Sequence, residues 1–228
     1  MPGAGSRAGS LATRGGGPRA NRVGGAESVP ASGMIDIVYD VAGTSVPAEH
    51  ALPLLEAIVE ALPWFASAEA VGVHPLRGSS TPYGELLLAR RTKLVLRLPA
   101  LRHDDCAALE GARLALGAHS LAVGKSAARA LRPSATLHAQ RVASAAPDER
   151  GFQDEVTAAL NALGVASPFI SGGARAGRAG ARAIAGFALS VHELGAEDSL
   201  RLQAQGIGGD RRLGWGIFVP AKTITTAD

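Results

Sequence analysis

A glycine-rich stretch near the C-terminus has the residue types that could hold an anion. It runs over Gly206–Phe218, reads GIGGDRRLGWGIF, and contains five glycines and the adjacent Arg211 and Arg212. Glycine permits positive φ and a close approach of the backbone to a ligand, and successive main-chain N–H groups can line an anion site. Two guanidinium groups in such a loop suit phosphate oxygens. The alternative interpretation is a glycine-rich hairpin with two solvated arginines.

Two common nucleotide-binding motifs do not fit this sequence. The dinucleotide spacing G-x-G-x-x-G fails because Gly206 and Gly208 are followed by Arg211 where the third glycine is needed. The stretch from Gly124 to Ser126 resembles the end of a phosphate-binding loop, but the position five residues before Gly124 is His119 rather than glycine. The sequence therefore disfavours nucleotide hydrolysis.

The spacing of the glycines is more specific than the common motifs. The loop has the form G-x-G-G-x-x-x-x-G-x-G, with an amphipathic helix before it and the last strand after it. This form resembles the signature of the RAMP superfamily of CRISPR-associated RNA-binding proteins. Within that superfamily the chain is most similar, over about residues 34–222, to the endoribonucleases that cut precursor CRISPR RNA at each repeat, in particular their MYXAN-type branch.

The resemblance implies an activity and its partners. It implies a metal-independent endoribonuclease that needs no cofactor, acts on CRISPR repeat RNA, and leaves a 2′,3′-cyclic phosphate and a 5′-hydroxyl. It also implies that the product can stay bound and enter an interference complex with other CRISPR proteins. Two alternatives remain open: a non-catalytic RAMP-type RNA-binding subunit of such a complex, and a ferredoxin-like ligand-binding domain without an RNA role.

His50 is the predicted catalytic residue. Cleavage of RNA without a metal needs a base for the ribose 2′-hydroxyl and an acid for the leaving 5′-oxygen, and histidine can serve as either near neutral pH. His50 follows the first predicted strand at the start of the first helix, where the helix dipole favours the neutral imidazole. The resemblance points to the same place, because the family usually carries its histidine in or just before this helix. The alternative is a helix-start histidine without chemistry.

Other residues complete the predicted site. His74 is the rival catalytic histidine, and neither Tyr39 nor Tyr83 matches a motif. No histidine pair has the H-E-x-x-H spacing, and Cys106 is the only cysteine, so we predict no metal site. The predicted RNA-binding residues come from the glycine loop and from the basic segment before it: Arg175, Arg178, Arg182, Gly206, Gly208, Gly209, Arg211, Arg212, Gly214 and Gly216.

Charge and composition restrict the setting. The 228 residues carry a formal charge of +3, which lies entirely in residues 1–33, since the remainder holds 19 basic and 19 acidic residues. Acidic residues concentrate on predicted helices and basic residues on predicted strands and loops, so a neutral folded part can still present a basic face. A single cysteine fits a reducing cytoplasm, and no apolar run has the length of a membrane span.

Hydrophobic periodicity predicts an α+β fold of two tandem ferredoxin-like (RRM-like) βαββαβ domains, at residues 34–126 and 127–222, with the glycine-rich loop at 206–216. Residues 1–33 are predicted to be disordered, and Met34 is a possible translation start. In the first half the predicted elements are strand Ile35–Val41, a helix that opens at or after Pro47, strand Val71–Leu76, loop Arg77–Leu86, strand Thr92–Leu98, helix Arg102–Glu110 and strand region Arg113–Val123. In the second half they are strand Ala135–Ala143, helix Phe152–Leu163, an irregular strand or mobile loop over Pro168–Arg182, strand Ile184–Leu194, helix Glu197–Gln205 and strand Trp215–Pro220.

Overall fold

The computed structural model describes residues 33–221. The predicted disorder of residues 1–33 lies, except for Gly33, outside the described part, and the prediction that translation starts at Met34 stays untested. The elements of the first half are β1 (Met34–Ala42), β2 (Ser45–Pro47), α1 (Ala51–Ala61), β3 (Gly72–Val73), β4 (Gly78–Ser80), β5 (Glu85–Leu88), β6 (Lys93–Pro99), β7 (Arg113–Leu116) and β8 (His119–Ala130). Those of the second half are β9 (Leu137–Ala143), α2 (Glu149–Ala162), β10 (Phe169–Ala179), β11 (Arg182–Val191), α3 (Ala196–Gln205) and β12 (Val219–Pro220).

Both main sheets have the ferredoxin-like strand order. The first sheet runs β3-β6-β1-β8-β7, and the second runs β10-β11-β9-β12. In each sheet the first strand of the unit lies between the third and the fourth, all neighbours are antiparallel, and β7 extends the first sheet by a hairpin with β8. The predicted α+β fold with two ferredoxin-like units is confirmed. The predicted boundary between residues 126 and 127 falls inside β8, and the division into domains stays a prediction.

Each unit has its own hydrophobic core. The first core lies between the first sheet and α1, whose Leu54 and Ile58 are fully buried. The second core lies between the second sheet and helices α2 and α3, with Phe152, Val156 and Leu202 buried. Burial of these helix faces is the main stabilising term, because apolar area removed from water contributes roughly 25 cal/mol per Å².

Helix α1 begins later than Pro47, which lies in the short strand β2. His50 is the residue before the first helical position, and Pro53 therefore falls in the first turn. Proline is tolerated there because the first-turn N–H groups have no partner within the helix. The position of Pro53 thus sets the start of α1 and, with it, the place of His50.

Several other local predictions are wrong. Residues 77–86 are not a loop, because β4 and β5 join β2 in a separate three-stranded sheet. The predicted helix Arg102–Glu110 is instead two short 3₁₀ segments, Ala100–Arg102 and Asp104–Leu109. Strand β8 continues to Ala130, where its pairing with β1 supports it. Only the last two residues of the predicted strand Trp215–Pro220 pair with a neighbour.

The segment predicted as an irregular strand or a mobile loop is a strand. It forms β10, which pairs with β11 along its length and has one register shift between Ser171 and Ala174.

No helix within residues 33–221 is long and apolar enough to cross a lipid bilayer.

Candidate functional site

One small cleft brings the early histidine and the glycine loop together. We call it the histidine cleft, and the polar residues that line it are His50, His74, Arg141 and Arg212. Leu213 and Gly214 of the glycine loop form part of its wall. The cleft therefore lies where the N-terminus of α1, the end of β3, strand β9 and the loop meet.

A third, smaller apolar cluster holds the loop against α1. Its buried members are Ile184, Leu213 and Trp215, and the partly buried residues that pack on it are Ala51, Leu52, Leu55, Ala143 and Ala179. The cluster thus joins the first turn of α1, the β10–β11 hairpin and the glycine loop. Because these contacts start one residue after His50, they place the imidazole beside the loop.

The glycine loop is tightly packed rather than a flexible turn. A Cβ on Gly206 would lie 2.4 Å from the carbonyl oxygen of Gly216, and a Cβ on Gly216 would lie 2.4 Å from that of Ile207. Both glycines have positive φ. The N–H groups of residues 213–216 already donate to main-chain carbonyls. Glycine is needed at these positions for close backbone packing.

The free amides of the loop lie elsewhere. Gly208 and Gly209 are exposed, and their N–H groups donate to no acceptor within residues 33–221. A Cβ on Gly209 would meet no atom within 4 Å. These two positions are the part of the predicted glycine set that could offer amides to a phosphate.

Two of the predicted arginines are bound within the protein. Arg211 donates from Nη1 to the carbonyl oxygen of Ala204 at 2.8 Å, so it caps the C-terminus of α3. Burial, and to a smaller extent the nearby positive charge of Arg97, lower the pKa of Arg211 to about 10. Arg182 forms two hydrogen bonds to Asp210, at 3.0 and 2.5 Å. We therefore do not include Arg211 among the residues proposed to bind RNA.

The remaining arginines of the β10–β11 hairpin are exposed. Arg175 donates to the carbonyl oxygen of Gln140 at 3.2 Å and has no carboxylate partner within the described residues. Arg178 lies 3.9 Å from Glu49, the residue before His50. Because successive side chains of a strand alternate between faces, Arg175 and Arg178 do not form one row along β10.

His50 has the geometry of a neutral imidazole with one free nitrogen. Its side chain is buried, and Nδ1 lies 3.0 Å from the carbonyl oxygen of Pro47. Since a carbonyl can only accept, Nδ1 carries the hydrogen, and Nε2 of the neutral ring holds the lone pair. Burial lowers the pKa of His50, and the charge of Arg141 lowers it further, while the hydrogen bond to Pro47 opposes them. The predicted neutral form thus has burial as its leading cause.

His74 belongs to a different set of contacts. Its Nε2 is buried and lies 3.5 Å from Oδ1 of Asp36, without hydrogen-bond geometry. Burial lowers the pKa of His74 although Asp36 opposes the change. Burial would raise the pKa of Asp36, but the two hydrogen bonds from Arg97, together with the neighbouring His74 ring, hold it far below its usual value.

Arg141 was not singled out by the sequence. It is half-buried in β9, lines the histidine cleft, and its guanidinium carbon lies 5.5 Å from the centre of the Trp215 ring. In the primary sequence it is one of many strand arginines, and no local pattern marks it. Only the folded chain shows that it faces His50. Arg212, which was predicted, also lines the cleft, and its Nη1 donates to the carbonyl oxygen of Phe65 at 3.3 Å.

The other four histidines do not line the cleft. His103 lies next to Asp104, and His119 lies between Ser45 and Glu85. His138 contacts the hydroxyl group of Ser190 in β11, and His192 contacts that of Thr136, just before β9. Within residues 33–221 no three His, Cys, Asp or Glu side chains cluster closely enough to hold a metal ion.

Comparison with known proteins gives consistent matches. A family model described as Cas6 Crispr matches residues 35–223. A protein named CRISPR-associated endonuclease Cas6 of Myxococcus xanthus is 37% identical over 188 residues, which are 82% of this chain and 81% of the relative.

Solved structures agree at the level of the fold. A structure described as a RAMP protein binding different RNA substrates has a TM-score of 0.61 at 13% identity and covers 81% of this chain and 98% of its own. A structure described as CRISPR associated protein Cas6 has a TM-score of 0.58 at 12% identity, and the match covers 83% of this chain and 100% of that structure's chain.

Proposed function

The chain belongs to the Cas6 family, and on that premise we propose that it is a metal-independent endoribonuclease that cuts CRISPR repeat RNA. The observation that carries the proposal is the histidine cleft, in which the His50 imidazole, with Nδ1 bonded to Pro47 and Nε2 free, lies beside two arginines and the glycine loop. The RNA product is proposed to stay bound and to enter an interference complex with other CRISPR proteins.

The proposed reaction is an internal transfer at one phosphate. Nε2 of His50 accepts the proton of the ribose 2′-hydroxyl, and the 2′-oxygen attacks the neighbouring phosphorus. The bond from phosphorus to the 5′-oxygen breaks, and the departing oxygen takes up a proton from solvent. The products are a 2′,3′-cyclic phosphate and a 5′-hydroxyl, so no water molecule is consumed in this step.

Exposed groups around the cleft are proposed to hold the RNA. Arg178 stands beside Glu49 near the cleft, Arg175 lies further along β10, and the amides of Gly208 and Gly209 are free. Arg182 is exposed, but its two terminal nitrogens already donate to Asp210. We therefore do not expect it to form a two-pronged hydrogen bond to a phosphate. A double-stranded RNA stem is recognised mainly by shape and by phosphate contacts, which such groups can supply.

His74 is the rival for the proton-transfer role, and the geometry favours His50. Nε2 of His74 is buried beside Asp36, whereas Nε2 of His50 is free of any hydrogen bond within the described residues. A base must reach the proton that it abstracts, and an accessible nitrogen is the first requirement. Replacing each histidine by alanine in turn separates the two roles.

The experiment that tests the proposed function follows labelled repeat RNA from the encoding organism's CRISPR array. Purified protein is incubated with it in EDTA, and the product ends are analysed. We expect a single cut that persists in EDTA, a 2′,3′-cyclic phosphate on one product and a 5′-hydroxyl on the other. Binding of the RNA without any cut, with or without added Mg²⁺, would indicate a non-catalytic RNA-binding subunit instead. A cut that requires Mg²⁺ would contradict the metal-independent mechanism.

A further inference from the structure

We propose that Arg141 forms an anion site that binds a non-bridging oxygen of the phosphate to be cleaved, on the Trp215 side of the histidine cleft. The inference rests on the proposed function, because it specifies which phosphate oxygen of the RNA binds beside Arg141. Four features of Arg141 support it: the lack of a counter-charge, the partial burial, the support from the Trp215 ring, and the proximity to His50.

Arg141 lacks a counter-charge. No carboxylate lies within ion-pair distance of it in residues 33–221, its side chain makes no hydrogen bond there, and burial lowers its pKa. The Nε atom is buried and unpartnered. Arg212, which lines the same cleft, also has no carboxylate partner within the described residues, but its Nη1 donates to the carbonyl oxygen of Phe65. Arg97 contacts Asp36, and Arg182 contacts Asp210. A partly desolvated charge without a partner is costly unless an anion joins it.

The neighbours of Arg141 hold the guanidinium in place. The Trp215 ring lies against it, and Trp215 itself is fully buried. A Cβ on Gly177 would lie 3.0 Å from the Trp215 ring and 3.8 Å from Nη1 of Arg141, so the absence of a side chain in β10 leaves room for both. The carbonyl oxygen of Arg141 accepts from Gly216, which ties β9 to the glycine loop. A pre-positioned donor of this kind loses little freedom when a ligand binds.

The proximity to His50 specifies which phosphate Arg141 can reach. Both residues line the same cleft, and the charge of Arg141 adds to the larger effect of burial in lowering the pKa of His50. A guanidinium beside the base can donate hydrogen bonds to the non-bridging phosphate oxygens, on which negative charge builds up as the 2′-oxygen attacks. Planar N–H donors also match phosphate oxygens in geometry.

The direct test uses the two phosphorothioate diastereomers of the scissile phosphate, each of which replaces one non-bridging oxygen by sulfur. We expect the unaltered protein to cleave one diastereomer more slowly than the other. Arg141→Ala should cleave the natural phosphate more slowly and lose most of the preference between diastereomers. Arg141→Lys should recover part of the cleavage rate but not the preference between diastereomers, because an ammonium group lacks the planar pair of donors of a guanidinium. An unchanged preference in Arg141→Ala would overturn the inference.

A binding measurement separates this inference from the proposed function. Repeat RNA with a 2′-deoxy nucleotide at the scissile position cannot be cut, so its Kd reports the anion site even if the protein proves to be non-catalytic. We expect Arg141→Ala to weaken binding about tenfold or more, as the loss of a hydrogen bond from a charged group implies. The matched control Arg150→Ala removes the same charge from an exposed position of α2. Equal Kd values for the two variants would overturn the inference.

Discussion

The guanidinium of Arg97 donates two hydrogen bonds to the carboxylate of Asp36, from Nε to Oδ1 at 2.7 Å and from Nη2 to Oδ2 at 2.9 Å. Its remaining nitrogen, Nη1, donates to the carbonyl oxygens of Gln203 at 3.0 Å and Phe218 at 2.7 Å. Arg97 is fully buried in β6 of the first sheet, whereas Gln203 and Phe218 belong to the second unit. This one side chain therefore connects the two units, next to the Asp36 carboxylate that also lies 3.5 Å from His74.

We expect Arg97→Met to lower the free energy of unfolding by about 3 kcal/mol or more, because it leaves Asp36 and two carbonyls without their partner. Urea denaturation at neutral pH measures the change. The control is Lys93→Met, which removes the exposed ion pair between Lys93 and Asp40 on the same two strands. That variant should lose less than about 1 kcal/mol. Equal losses in both variants would show that the Arg97 contacts are not a special link.

A side chain at Gly206 should disrupt the glycine loop. Gly206→Ala would place its Cβ 2.4 Å from the carbonyl oxygen of Gly216 at a φ of 69°. With φ of 69° and ψ of −175° the backbone lies in a region that essentially only glycine adopts, which costs an alanine on the order of 1–3 kcal/mol, and the contact adds to it. Thermal unfolding should therefore show a clearly lower Tm for this variant. Gly209→Ala is the matched control within the same loop, since its Cβ would meet no atom within 4 Å. A loop that tolerates both changes equally would contradict the packing described above.

The pH dependence of cleavage should reflect the lowered pKa of His50. Burial favours the neutral ring, which is the form that accepts a proton, so activity should fall only below the ordinary histidine value of about 6.5. The measurement is the pH profile of kcat/KM, which reports groups of the free enzyme. Arg141→Gln should move the acid limb to higher pH, because one cause of the lowered pKa is then removed. An acid limb above pH ~6.5 in the unaltered protein would contradict the assignment.

The fold was more accessible to sequence reasoning than the site. Alternating apolar residues in β1, β6 and β9 and the helical spacing in α2 reflect burial against a core, which periodicity reports directly. The small sheet of β2, β4 and β5 was missed because two of these strands have only three residues, too few to show alternation. The short 3₁₀ segments over residues 100–109 were predicted as one helix, because local composition does not distinguish the two kinds of helix.

Within the site, His50 could be proposed from its place before a helix, but the roles of the arginines could not. Arg211 and Arg212 are adjacent in the chain, yet one caps α3 and the other lines the histidine cleft. Arg141 comes from a different strand and lies in the cleft beside the Trp215 ring. Such roles depend on contacts between residues far apart in sequence, which no local pattern records.

The most direct measurement is the single-turnover rate of repeat RNA cleavage by His50→Ala beside His103→Ala. His103 is a half-exposed histidine outside the cleft, so its variant controls for the loss of an imidazole elsewhere. We expect His50→Ala to bind the RNA with unaltered Kd and to cleave it about 10²–10⁴-fold more slowly, while His103→Ala cleaves at the parent rate. A His50→Ala variant that cleaves as fast as the parent protein would contradict the account.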